Sequence, residues 1–243
     1  MVTIEQVPPR ARPRRSDSVF FPAMAITMAL VVFAGFAPTY FLRAQFNGPP
    51  LSALKLIHGA AFTAWTALLI TQTSLVAANR RDVHRKLGVA GAGLAALMVV
   101  LGTMLAIDAL QRGFAPPGAP SPIAFFAVPI GDMVAFVAMV SLGVINRKRM
   151  DYHKRYMLLA TAAIVDAAVA RIPLNVIQQG GMPVVFLVAD LFILTVALYD
   201  LATKRRVHPA TIWSGVIIIG SQVLRMWIGG TQAWHDLVVS LLG

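Results

Sequence analysis

The sequence predicts an all-α fold, a polytopic membrane bundle of about seven transmembrane helices with the N-terminus cytoplasmic and the C-terminus periplasmic. Three observations predict it. Of the 243 residues, 58% are hydrophobic and the mean hydropathy is +0.72, above the roughly half-apolar content of a soluble domain. The apolar residues gather in blocks of about 20, the length that crosses a ~30 Å hydrocarbon core. The basic residues crowd between alternate blocks. Helices follow because backbone polar groups in lipid must be satisfied within their own segment. The alternating strands of about ten residues that a barrel needs are not seen.

The elements follow in order. Residues 1–18 carry Arg10, Arg12, Arg14 and Arg15 among prolines and read as a disordered basic cytoplasmic tail. A basic segment before an apolar stretch could be a signal peptide. However, the stretch from Val19 to Leu42 is too long for one, and the small residues near Ala34 lack an A-x-A pattern, so it reads as a retained first span. Ser16, Asp17 and Ser18 supply its capping material. The second span covers about Leu51 to Ala77 and the third about Gly88 to Leu110. A Pro/Gly-rich loop runs from Arg112 to Pro122. The fourth span covers about Ile123 to Ile145 and the fifth about Tyr156 to Ile177. Gly180, Gly181 and Pro183 read as a tight turn. The sixth span follows at about Val184 to Leu201 and the seventh at about Ala210 to Ile228. Residues 229–243 form a short periplasmic-side tail with Trp234 and His235.

Charge placement tests this map. With the N-terminus inside, the cytoplasmic segments hold the four tail arginines and Arg80, Arg81, Arg85 and Lys86. They also hold Arg147, Lys148, Arg149, Lys154 and Arg155, then Lys204, Arg205 and Arg206. That is sixteen of the 21 basic residues, the asymmetry of the positive-inside rule. The net charge of +11 therefore points to anionic lipid headgroups at the cytoplasmic face and away from nucleic acid. The absence of cysteine excludes disulfides, thiolate metal sites, iron–sulfur clusters and cysteine nucleophiles. No HExxH, GxSxG or P-loop motif is present. The seventh span has no lysine for a retinal Schiff base.

Polar residues inside spans are the candidates for function, because each is costly in lipid and faces the bundle interior as a rule. By depth, His58, Asp132, Arg171 and Asp190 fall in one layer in the outer half of the bundle, with Asp166 deeper and Arg225 near the outer end. Such a layer would bind or sense a small molecule, or carry protons or solute. Arg171 would hold an anionic group or an aspartate, the aspartates would exchange protons or bind cations, and His58 would relay a proton. The alternative is that Arg171 pairs with the aspartates and only locks the helices. On the second span His58, Phe62, Trp65, Leu69 and Gln72 share one face. A haem-binding redox protein using His58 is a second reading, with methionine as the other axial ligand. A non-catalytic assembly subunit, binding partner membrane subunits or a second copy through small residues such as Ala160, Ala163, Ala167 and Ala170, is a third.

The cytoplasmic loops repeat a theme. Asp82-Val83-His84-Arg85-Lys86 matches Asp151-Tyr152-His153-Lys154-Arg155, and Arg206-Val207-His208 echoes both. His84, Arg85, His153, Lys154 and Arg155 are therefore interface candidates. Three imidazoles could bind zinc, but the surrounding basic side chains favour a phosphate or lipid headgroup, and no metal is expected.

The stretch Gly35-Phe36-Ala37-Pro38-Thr39-Tyr40, then His58-Gly59, Trp65, Gln72 and Asp82-Val83-His84-Arg85-Lys86-Leu87-Gly88, resembles a group of multipass bacterial inner-membrane proteins with no assigned reaction. His153-Lys154-Arg155-Tyr156-Met157-Leu158-Leu159-Ala160-Thr161 and Ala168 to Arg171 continue it. Leucine is frequent in that group where Tyr156 stands here. The resemblance covers about residues 30 to 175. It implies a location in the bacterial inner membrane and points to His58, His84, His153 and Arg171; it implies no mechanism.

Overall fold

The computed structural model describes residues 15–242. The described residues form helices joined by turns and short loops, with no strand among them: α1 at Arg15–Phe36, α2 at Ala53–Ala77, α3 at Arg81–Gln111 and α4 at Pro122–Ile145. The chain continues with α5 at Met150–Ala162, α6 at Asp166–Val169, α7 at Asn175–Lys204, α8 at Pro209–Gly229 and α9 at Gln232–Leu242. Six helices are long and apolar enough to cross a membrane: α1 with the turn after it, α2, α3, α4, α7 and α8. Large apolar side chains such as Leu30, Val100, Val134, Leu187 and Val223 point outward. That much exposed apolar surface suits lipid and would not suit water.

The expected basic tail lies outside the described residues up to position 14; from Arg15 onward the chain is already helix. α1 ends in a π-helical turn, Ala37–Phe41, closed by the Leu42 amide on the Ala37 carbonyl at 2.8 Å. Pro38 has no N–H to donate, which favours the wider turn. Tyr40 leaves this turn to donate to the Leu56 carbonyl at 3.0 Å. Its ring fills the space where Gly59 has no side chain. Ser52 and Ser121 cap α2 and α4 by accepting from the amides of Lys55 and Ala124.

The expected fifth span is the main departure. Over Tyr156–Ile177 there is no single long helix. α5 stops at Ala162, and the next amides bond three residues back: Ile164 to the Thr161 carbonyl at 3.2 Å and Val165 to Ala162 at 3.4 Å. After the four residues of α6 the same tightening recurs, with Arg171 bonded to Ala168 and Ile172 to Val169. These are 3₁₀-type turns, which mid-helix mark strain or a hinge. Gly180, Gly181 and Pro183, expected as a tight turn, mark a break between two helical stretches. They lie inside α7, where Gly181 at φ 61° makes a kink that a residue with a Cβ would resist.

The α5–α6 segment is the core of the bundle. Arg155, Tyr156, Leu158, Leu159, Ala160, Thr161 and Ala162 are buried on α5, and Asp166, Ala168 and Val169 on α6. Gly35 makes the closest approach possible: a methyl group there would overlap the Ala168 carbonyl. The last residues are helix as well. Val238 of α9 is buried, and Trp234 donates from Nε1 to the Ile123 carbonyl at 2.8 Å.

Candidate functional site

Two buried arginine clusters stand near opposite ends of the bundle. The first is at the end that carries the basic connections. His153, Lys154 and Arg155 are consecutive, so helix geometry sends them in three directions. Arg155 is fully buried and forks onto Asp200 of α7, with Nε at 3.1 and 3.2 Å from the two carboxylate oxygens and Nη2 close to Oδ1. Its Nη1 donates to the Asp151 carbonyl at 2.8 Å. Asp200 also accepts from the Thr211 hydroxyl at 2.6 Å and the His208 amide at 3.1 Å. Asp200 is the close anion for Arg155, the Asp151 carboxylate stands 3.6 Å from Nη1, and each is further paired or hydrogen-bonded.

Around this pair, Lys154 bridges Asp17 at 2.9 Å and Asp151 at 2.8 Å, and Lys204 reaches Asp151 at 3.0 Å. Tyr199 donates to Asp17 at 2.8 Å and stacks on Phe20. Burial works against the charge on Asp151, but the hydrogen bonds and charges of Lys154 and Lys204 outweigh it and hold its carboxyl below the usual range. His208 caps α8 by accepting the Ala210 amide on Nδ1 at 3.1 Å. Burial, then the charges of Arg155 and Lys204, push its imidazole down to about 4.

The second cluster lies about 14 residues, roughly 21 Å of helix rise, further along α8. Arg225 is buried and contacts two carboxylates. Nη1 meets Asp132 of α4, and Nη2 meets Asp166 of α6 at 2.9 Å. Nη1 also donates to the Val128 carbonyl at 3.0 Å, while Nε is buried with no partner among the described residues. The guanidinium lies 4.5 Å from the Phe186 ring. Gly131 makes room for it: a Cβ there would sit 2.6 Å from Cδ of Arg225. One turn earlier on α8, Gln222 donates to Asp190 of α7 at 2.9 Å. Two carboxylates therefore share one guanidinium where α5 tightens into α6, with a third carboxylate one helical turn away.

Of the residues expected to form this layer, the structure brings Asp132 and Asp190 to it. Arg225, not Arg171, makes the direct ion pairs, while Arg171 acts on Asp166 through space. Arg171 is exposed, donates to the Ala167 carbonyl and lies 4.6 Å from the Phe36 ring. His58 stands apart, stacked on Phe62 at 4.1 Å with Nδ1 enclosed and unpartnered. No haem-binding group is seen among the described residues. Trp65 borders the site: it donates to Thr161 at 3.0 Å and meets Phe136, one turn from Asp132, edge-on. At the basic end Arg85 is exposed, while His84 and His153 face each other with ring centres 6.0 Å apart.

Sequence reasoning missed the partnerships of Arg225, Asp166 and Asp200. One signal was present. Thr211, Ser214, Gln222 and Arg225, with Ile218 between, follow a 3,4 spacing and form the buried face of α8. A polar stripe on one side of an apolar helix marks the side turned to protein. No family model, curated protein or solved structure matches the chain.

Proposed function

We propose that this chain is a bacterial inner-membrane protein that crosses the bilayer seven times, N-terminus inside, with α5 and α6 together as the fifth crossing. Its function is to exchange a proton at Asp132, Asp166 and Arg225, in the service of transport or sensing. The observation that carries this reading is the charge count. Two carboxylates and the one guanidinium in contact with both are neutral only when they hold one proton; Arg171 acts on Asp166 only through space. An unbalanced charge at this depth is costly, so the cluster gains or loses that proton only with a compensating change, such as ligand entry or helix movement. The tightened α5–α6 segment supplies an element that can move, because its 3₁₀ turns relax to α-helical ones by a small rotation. Asp190, tied to Gln222 beside Arg225, extends the carboxylate row and offers the next proton position.

Infrared spectroscopy of the purified protein in lipid tests this directly. At neutral pH the wild type should show a carbonyl stretch from a protonated carboxylic acid that shifts in D2O. Asp132→Asn or Asp166→Asn should abolish it, and Asp190→Asn should leave it. A folded wild type with no such band would end the proton reading.

A further inference from the structure

The two matching loop motifs place His84, at the start of α3, and His153, in the first turns of α5, side by side at the basic end. Their ring centres are 6.0 Å apart and their planes 86° apart. His153 has a fixed tautomer. Its Nδ1 lies 2.8 Å from the Gly143 carbonyl, an oxygen that can only accept, so Nδ1 carries a proton and Nε2 is the nitrogen left to ligate in the neutral ring. Gly143 permits this approach: a Cβ there would lie 2.6 Å from Sδ of Met157, one turn beyond His153. Gln72, in the last turns of α2, donates from Nε2 to the His84 carbonyl at 3.2 Å, which fixes the orientation of its amide. Its Oε1 is then buried with no partner, and so is Nδ1 of His84.

We propose that His84, His153 and Gln72 form a binding site for one transition-metal ion of the zinc or copper class. A metal about 2.0–2.1 Å from an imidazole nitrogen sits roughly 3 Å from the ring centre, so two ligating rings can have centres about 6 Å apart. Imidazole nitrogen suits zinc and copper. A ligating histidine almost always donates its other N–H to a carbonyl, carboxylate or water, and the Gly143 carbonyl plays that part for His153. The amide oxygen of Gln72 and Nδ1 of His84 are neutral donors with no hydrogen-bond partner among the described residues.

Arg81 and Arg85 bear directly on the His84 ring; the other basic neighbours oppose a cation less than their number suggests. Lys154 is held by Asp17 and Asp151, Arg155 by Asp200 and Lys204 by Asp151. Arg149 lies on the Tyr152 ring at 4.4 Å, and Arg147 turns to the Val144 carbonyl. His208 is not part of the set, since it packs on Tyr152 and caps α8. The site is independent of the proton site around Arg225.

The test is titration of chelator-stripped, full-length protein in lipid nanodiscs with Co(II), read by its visible absorption, followed by competition with Zn(II). The wild type should bind one equivalent. His84→Gln and His153→Asn, which keep polar side chains and preserve folding better than alanine, should each weaken binding by about 100-fold or more, since second-shell changes alone cost 10–100-fold. Gln72→Leu should weaken it less, and His235→Ala at the far end should not change it. Gel filtration reports whether each variant is folded. No saturable one-equivalent binding to wild type would overturn the site. So would binding that survives in a folded His84→Gln/His153→Asn double variant.

Discussion

The clusters around Arg155 and Arg225 use the same buried cation to opposite ends. Arg155 pairs with Asp200, which also takes a hydroxyl and an amide, and with Asp151 at 3.6 Å, so that with Lys154 and Lys204 three cations meet three carboxylates, Asp200, Asp151 and Asp17. Arg225 has two carboxylates to balance and one N–H left over. A balanced, saturated ion pair locks helices together; an unbalanced one stores a choice of protonation states. Burial alone distinguishes neither, since both arginines are buried. What separates them is the count of charges and of unused hydrogen-bonding atoms.

Charge removal should separate them most. Asp200→Asn leaves Arg155 buried with only the more distant Asp151 carboxylate at 3.6 Å, and should cost about 3–5 kcal/mol in denaturant or thermal unfolding of the detergent-solubilised protein. Asp166→Asn removes a carboxylate from a set with one to spare, and should cost about 1 kcal/mol or less, the worth of one net hydrogen bond. Equal losses in the two variants would erase the comparison.

A smaller effect should follow from trimming the saturation of the lock. Thr211→Val keeps shape and removes one of the donors to Asp200, and should cost about 1.5–3 kcal/mol, as for a hydrogen bond to a charged group. The matching change in the other cluster, Gln222→Leu, should alter the infrared signature of Asp190 more than it alters stability.

The smallest effect should be the pH response of the lock. His208 is held neutral in the fold, with its pKa down from 6.5 to about 4. Its contribution is therefore whole above about pH 6.5 and is lost as pH falls from there to about 4, because the unfolded chain takes up the proton first. His208→Asn keeps an acceptor for the α8 cap without a titrating group, and should flatten the melting temperature across that interval. A slope unchanged by the substitution would mean that other groups set the acid response.

The outward-facing helices were readable because hydropathy measures what faces lipid, and α1 to α4, α7 and α8 each show lipid an apolar side. The interruption of α5–α6 was not. Its sequence there, Ala162-Ala163-Ile164-Val165, has no glycine or proline, and alanine favours helix. The tightening accompanies long-range contacts, with Asp166 drawn to Arg225 on α8 and Ala168 pressed on the backbone of Gly35. Asp132 and Asp190 were legible as costly residues at a common depth. The choice between Arg171 and Arg225 depends on helix rotation, which a weakly periodic apolar span does not reveal.

The paired residues of the motifs show what such a pattern encodes. Gly35 serves Ala168, Tyr40 serves Gly59, Trp65 serves Thr161, and Gln72 serves His84. Each joins two crossings, and none lies within one loop.

The contact between Gly35 and the Ala168 carbonyl also has a mechanical meaning. With no side chain between them, the two backbones have no compressible layer to absorb sliding, so a rotation of α6 is handed to α1 undamped. α1 carries Asp17, which is tied to Lys154 and Tyr199 at the far end. It is thus a connecting rod, through which a displacement at Asp166 is felt at the opposite end of the bundle.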